Sequence, residues 1–266
     1  MRNLLPFLLA AFAIGNIASA QTAGAGGATP QAGIPGSQIT VLAPGGIRAA
    51  LEQLIPGYQR RSGHPVKATF GSGLGTKQQI AKGEAFDVAI LQPPYPEVVA
   101  SGNVVAGSEK AIATVAVGIA VKKEGNRPDI TTTSALKRAL LAAESIAYPD
   151  PAGGAAAGVS FEATLKKIGI FDQVQSKLKR AQGGAAAMTM VAKGEAELGV
   201  TFLSEMNVNG IDIDGPLPVE VSTPTRFVGF VSAHAKDPAA AKNFIDFLVS
   251  PDAAAFFQAN AMQVAH

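Results

Sequence analysis

The chain has 266 residues, no cysteine, no tryptophan and a formal net charge of +2. Without cysteine it forms no disulfide, carries no lipid on an N-terminal cysteine and has no thiol nucleophile. Its 22 basic and 20 acidic residues are interspersed. No basic stripe interleaves with aromatics, so nucleic acid is not an expected partner.

The first twenty residues, MRNLLPFLLAAFAIGNIASA, hold one early positive charge, Arg2, then an apolar run, then Ala18, Ser19 and Ala20. That is the layout of a secretory signal cleaved near Ala20, and the apolar run is short for a membrane span. Residues 21–38 are rich in Gly, Ala and Pro without periodicity and read as a disordered leader. The expected product is periplasmic. Its folded part begins near residue 39 and is long enough for one large α/β domain or two lobes of roughly 100 residues each.

ITVLA (residues 39–43) reads as a strand that breaks at Pro44, Gly45 and Gly46. Ile47, Leu51, Leu54 and Tyr58 then share one helical face, with Pro56 expected to kink or shorten that helix. PVKATF (65–70) is the next strand, followed by the glycine stretch and a short helix around 77–81. FDVAIL (86–91) is apolar almost throughout, as a strand buried on both faces should be. This alternation predicts a parallel sheet with right-handed crossovers. The β-type run at 111–123 is longer than one ordinary strand, which suggests a crossing between two lobes. A second α/β series follows: a helix at 133–143, a strand at 145–151, a helix at 160–170, a short helix at 187–196 and a strand at 197–203. Residues 218–233 return as strands. Asp237-Pro238 and Ser250-Pro251 each pair an N-cap with proline at the first helical position, so two helices close the chain.

FGSGLGTKQQI (70–80) resembles a phosphate loop, but it matches neither G-x-x-x-x-G-K-[S/T] nor G-x-G-x-x-G. Its physics still suits a small anion. Glycines let backbone N–H groups turn inward, and a helix start carries partial positive charge. The alternative is a tight turn without a ligand. Three further small-residue turns occupy strand ends or helix starts: APGGI (43–47), DPAGGAAAGVS (150–160) and QGGAAAM (182–188). Ligands of open α/β sheets bind at the carboxyl ends of strands. The candidate ligand-binding residues are therefore Gly45, Gly46, Gly73, Gly154, Ala155 and Gly184, with Ser72 and Thr76 as hydroxyl donors. Arg48, Lys77 and Arg226 are candidate cations for a carboxylate, each equally readable as a solvated surface residue.

The span from ITVLAPGGIRAALEQLIPGYQRRSGHPVKATFGSGLGTKQQIAKGEAFDVAIL through MVAKGEAELGVTFLSEM to FIDFLVSPDAAAFFQAN resembles the periplasmic type 2 solute-binding proteins of the molybdate-binding group. The resemblance implies two Rossmann-like α/β lobes joined by crossing strands, with the ligand in the cleft. Lobe one would comprise residues 39–112 and 222–266, and lobe two residues 113–221. It also implies a monomer that hands a small anionic solute to the membrane permease of an ABC transporter. Two positions depart from the family pattern. Gly46 stands where a serine is usual, and Phe202 where a tyrosine is usual, whereas Ser72 matches. Two hydroxyl donors to a tetrahedral oxyanion are thus missing. A small organic acid is the expected ligand rather than molybdate.

Catalysis leaves little trace in the sequence. His64, His234 and His266 lie outside the glycine turns, no metal-ligand spacing occurs, and no metal or cofactor is expected. Some members of this broad group are similar to periplasmic aconitate isomerase, whose reaction needs only a base and anion-holding groups. Asp150 is the candidate base, or simply a turn residue with an Asx bond.

Overall fold

The computed structural model describes residues 36–265. The signal and all but the last three residues of the leader lie outside the described residues.

In chain order the first elements are β1 (Ile39–Pro44), α1 (Arg48–Ser62), β2 (Val66–Gly71), α2 (Gly73–Ala81), β3 (Val88–Leu91), α3 (Pro96–Ala100) and β4 (Lys110–Val115). β5 (Val117–Lys122), α4 (Thr133–Ala142), β6 (Ile146–Pro149), α5 (Ala156–Lys167), α6 (Phe171–Val174), β7 (Leu178–Ala181) and α7 (Gly184–Lys193) follow. β8 (Leu198–Phe202), β9 (Ile211–Pro216), β10 (Thr225–Val231), α8 (Pro238–Leu248), α9 (Pro251–Ala259) and β11 (Met262–Val264) complete the chain.

These strands form two sheets, ordered β11-β4-β10-β3-β1-β2 and β7-β6-β8-β5-β9. Only part of each is parallel. β2, β1 and β3 run together, as do β7, β6 and β8. β10 and β5 run against their neighbours, because they belong to the segments that cross between sheets. The long apolar run at 111–123 divides at Ala116 into β4 of the first sheet and β5 of the second, and the chain returns to the first sheet in β10. Each sheet with its helices is one lobe of an α/β fold.

Local physics accounts for the elements. Every residue of β3 and β8 is buried, as central strands covered on both faces require. α1 buries Leu51, Leu54, Ile55 and Tyr58 on one face, and Tyr58 meets Phe244 of α8 edge-on at 4.9 Å between ring centroids. Pro56 does not shorten α1. It lies on the exposed face, where water can serve the carbonyl left free by its missing N–H, and the helix continues to Ser62. Gly63, at φ +73°, then ends it in the left-handed conformation. Asp237 caps α8 by accepting from Ala240 N at 2.9 Å. Ser250 does not cap α9 through its side chain. Its hydroxyl instead donates back to Phe247 O at 2.7 Å. The buried Asp87 ties β1 to the loop after β10: it accepts from Thr40 N at 2.7 Å, Thr40 Oγ1 at 2.6 Å and Lys236 N at 2.9 Å.

Candidate functional site

Four strand-to-helix turns converge on one cavity of about 290 Å³. β1 ends at Pro44, and a short turn over Gly45–Ile47 leads into α1. β2 ends at Gly71, and Ser72 opens α2. From the other sheet, β6 ends at Pro149 before α5, and β7 ends at Ala181 before α7. All are carboxyl ends of strands. The helices that start here have 15, 9, 12 and 10 residues, long enough for each N-terminus to present a partial positive charge. Two hydrogen bonds close the cleft around the cavity. Leu74 N donates to Gly154 O at 3.2 Å, and Ser204 Oγ donates to Gly46 O at 2.6 Å.

The structure brings together Gly45, Gly46, Arg48, Ser72, Gly73 and Ala155 as lining residues, and with them Gly184, Phe202 and Asp150. The glycine stretch is not a loop before a helix: it is the first turn of α2. Ser72 is its N-cap, accepting from Gly75 N at 3.0 Å, which leaves the hydroxyl proton free to donate. Gly46 is small because two phenyl rings demand it. A Cβ there would stand 2.9 Å from Phe202 Cδ2 and 3.1 Å from Phe227 Cζ. The two departures from the family pattern are thus one packing arrangement. Arg48 is the one basic residue of the lining. Its guanidinium lies 4.6 Å from the Phe70 ring centroid, with its side chain 52% exposed.

Four sequence candidates lie outside the lining. Thr76 is buried, and its hydroxyl donates to Ser72 O at 2.9 Å within the helix. Lys77 Nζ donates to Pro94 O at 2.6 Å, and burial holds its pKa below the usual lysine range. Arg226 is exposed on β10 opposite Thr114. Gly154, at φ +81°, contributes its carbonyl to the bond with Leu74 rather than a surface to the cavity.

Asp150 holds its turn by accepting from Ala152 N at 3.1 Å, the Asx bond. Arg180 stands behind it, 3.7 Å from Oδ1, and also donates to Tyr148 Oη at 3.2 Å. Tyr148 in turn donates to Glu162 at 2.8 Å.

Among the lining residues that sequence reasoning did not single out, two are polar and lie outside the four turns. Gln92, only 3% exposed, follows β3, and its Oε1 has no hydrogen-bond partner. Glu205 ends the short turn after β8. Thr201 Oγ1 donates to its Oε2 at 2.6 Å, and no lysine or arginine pairs with it among the described residues. Burial pushes its carboxyl up from the ordinary range, against the lowering effect of the Thr201 bond. The available signal was its place in GVTFLSEM, three residues after Phe202. Among the described residues no group of three His, Cys, Asp or Glu could hold a metal ion.

A two-lobed α/β fold with a ligand-sized cavity at the strand ends of both lobes defines a solute-binding protein. Residues 39–263 match the model of the bacterial extracellular solute-binding protein family, and the chain belongs to that family. It is 30% identical over 234 residues to an aconitate isomerase from a Pseudomonas species, a match spanning 83% of this chain and 85% of that protein. It is 29% identical over 222 residues to the molybdate-binding protein ModA of Azotobacter vinelandii, covering 82% and 86% of the two chains. The solved Azotobacter vinelandii periplasmic molybdate-binding protein superposes with a TM-score of 0.72 at 21% identity, over 86% of this chain and all of that one. A periplasmic thiamin-binding protein superposes at 0.69 with 15% identity, over 86% and 84% of the two chains. The solved structures are similar in fold.

Proposed function

We propose that the chain is a periplasmic binding protein that captures a small organic anion in the cleft and delivers it to the membrane permease of an ABC-type transporter. The observation that carries this reading is the convergence of four helix N-termini on one cavity with a single cationic side chain. Backbone N–H groups and helix starts favour a negative ligand without a cluster of lysines and arginines. The leader and signal-like start support export. Lobe one (39–112 and 222–266) and lobe two (113–221) would close on the ligand, and the closed form would dock on the permease.

The apolar part of the lining favours an organic acid over molybdate. Phe202, Ala155, Ala156 and Ala157 offer carbon surface, and the serine and tyrosine hydroxyls typical of the molybdate group are replaced by Gly46 and Phe202. The relatedness to an aconitate isomerase supports a carboxylic acid as the ligand class. It also supports a second reading, isomerisation of a tricarboxylate on the same scaffold. The specific observation for that reading is that two carboxyl groups, Asp150 and Glu205, line the cavity and could move a proton.

A thermal-shift panel from Gln21 onward tests the first reading. Molybdate, tungstate, sulfate and phosphate are set beside di- and tricarboxylates. A carboxylate at ~100-fold excess over its Kd is expected to add about 2.7 kcal/mol of stability. A shift with molybdate or tungstate alone rules out the organic-acid reading. NMR of the stabilising acid then separates carrier from isomerase, since only the isomerase converts it.

A further inference from the structure

Glu205 is the charged group of the cavity for which the anion reading supplies no task. Its carboxyl lies between two glycine turns, one from each lobe. A Cβ on Gly184 would stand 2.4 Å from Oε2, and a Cβ on Gly45 would stand 3.7 Å from Oε1. One oxygen therefore lies against the start of α7 and the other beside the turn that leads into α1. Thr201 holds Oε2, the Phe202 backbone N–H also favours the charged carboxyl, and the residue lines the cavity.

An anion entering this cavity competes with Glu205 for the same helix start. If Glu205 is ionised, two negative charges share a small, poorly hydrated space, and their repulsion weakens binding. Protonation removes the conflict and turns the carboxyl into a donor. The other charged groups facing the cavity do not relieve it. Arg48 sits with Glu52 on its own helix, and Arg180 sits behind Asp150. Asp150 itself adds a like charge to the same cavity.

The geometry points to Glu205 as the residue that couples ligand capture to a proton: it meets the bound carboxylate as a neutral acid and donates a hydrogen bond to it. Anion binding therefore takes up one proton whenever the free protein holds Glu205 ionised. This rests on the reading of the cavity as an organic-anion site. The raised pKa of Glu205 has the same sense, since burial already disfavours its charge before any ligand enters.

The test uses aconitate, titrated into the wild-type chain and Glu205→Gln by calorimetry between about pH 7 and 9.5, where the carboxyls of aconitate stay ionised. Two buffers of different ionisation enthalpy count the protons, and NMR follows the Glu205 carboxyl carbon with and without aconitate. The wild-type affinity is expected to fall about tenfold per pH unit above the Glu205 titration, with close to one proton taken up. Glu205→Gln, whose amide donates at every pH, is expected to give a flat profile. A wild-type affinity that stays constant above the pH at which the NMR titration of the free chain shows Glu205 ionising, or an equal slope in Glu205→Gln, overturns the coupling and leaves the organic-anion reading standing. If neither aconitate nor any other carboxylate of the panel moves the Glu205 resonance, both fall together.

Discussion

Replacing Gly184 with valine is expected to weaken carboxylate binding about 100-fold or more and to lower the thermal midpoint, since the new side chain also crowds the buried Thr201. Gly184 opens α7, and a Cβ there would stand 2.4 Å from both Glu205 Oε2 and Thr201 Oγ1. The side chain that yields is Glu205, the long one, and the direction open to it is the cavity. Pushed out of its place beside Thr201, Glu205 loses the position from which it donates to the anion and takes up part of the space the ligand needs. A 100-fold loss corresponds to about 2.8 kcal/mol, the size of one charge-assisted hydrogen bond to the ligand together with the lost space. Valine also covers part of the helix start that would face the anion. The backbone at Gly184 is not in the left-handed region, so the chain conformation accepts a side chain there, and the steric cost falls on the contacts with Glu205 and Thr201. Calorimetric Kd and the thermal midpoint of the variant check this. An unchanged Kd would mean that the start of α7 does not hold the ligand.

Gly46→Ser is expected to destabilise the chain by roughly 1–3 kcal/mol without creating molybdate affinity. It puts back the serine typical of the molybdate group, but the space is already filled. The added Cβ meets Phe202 and Phe227, both buried and packed edge-to-face with centroids 6.4 Å apart. Moving either ring disturbs a close-packed junction between the lobes, because Phe202 comes from one sheet and Phe227 from the other. For a chain of this size the midpoint should fall by about 2–4 °C per kcal/mol. A variant with unchanged stability and tight molybdate binding would show that Phe202 and Gly46 are independent substitutions and that the missing serine alone sets selectivity.

Central strands announce themselves in the sequence because both faces are covered: β3 (VAIL) is an unbroken apolar run and β8 (LGVTF) is interrupted only by Thr201, and both were legible. The same property hid the division at Ala116. Val115 and Val117 are equally buried in different sheets, so no polar residue marks the crossing. The strands missed were three of the four edge strands, β7, β9 and β11, whereas the edge strand β2 was read. β7 (LKRA) carries Lys179 and Arg180 exposed, β9 (IDIDGP) turns its aspartates to the more covered side and leaves Ile213 exposed, and β11 has three residues. Their strand character comes from backbone pairing, which leaves little hydrophobic pattern to read. The antiparallel direction of β10 and β5 was not read, although both segments were expected as strands, because strand direction follows from the path of the whole chain.

The cavity was legible where it is built from backbone. Small residues at strand ends are a local signal, and four such turns meet as expected. Side-chain roles were less so. Whether Thr76 or Lys77 faces the cleft depends on which turn of α2 each occupies, and that required knowing that the helix begins at Gly73 rather than near Lys77. Arg226 stood out because it interrupts an apolar strand, yet it lies at the start of β10, before the stretch from Phe227 to Val231 that is buried on both faces, and it is exposed. Glu205 and Gln92 were invisible because each follows a buried strand without a motif, and only the folded chain brings them to the same space.

The most direct measurement is a ¹⁵N NMR titration of the chain with aconitate. The amides of Gly46, Gly73, Ala156 and Gly184, one from each helix start, are predicted to shift together along a single saturation curve. Shifts confined to one lobe, or centred on the separate apolar groove beside Val105 and Ile245, would contradict the assignment of the four helix starts as one anion site.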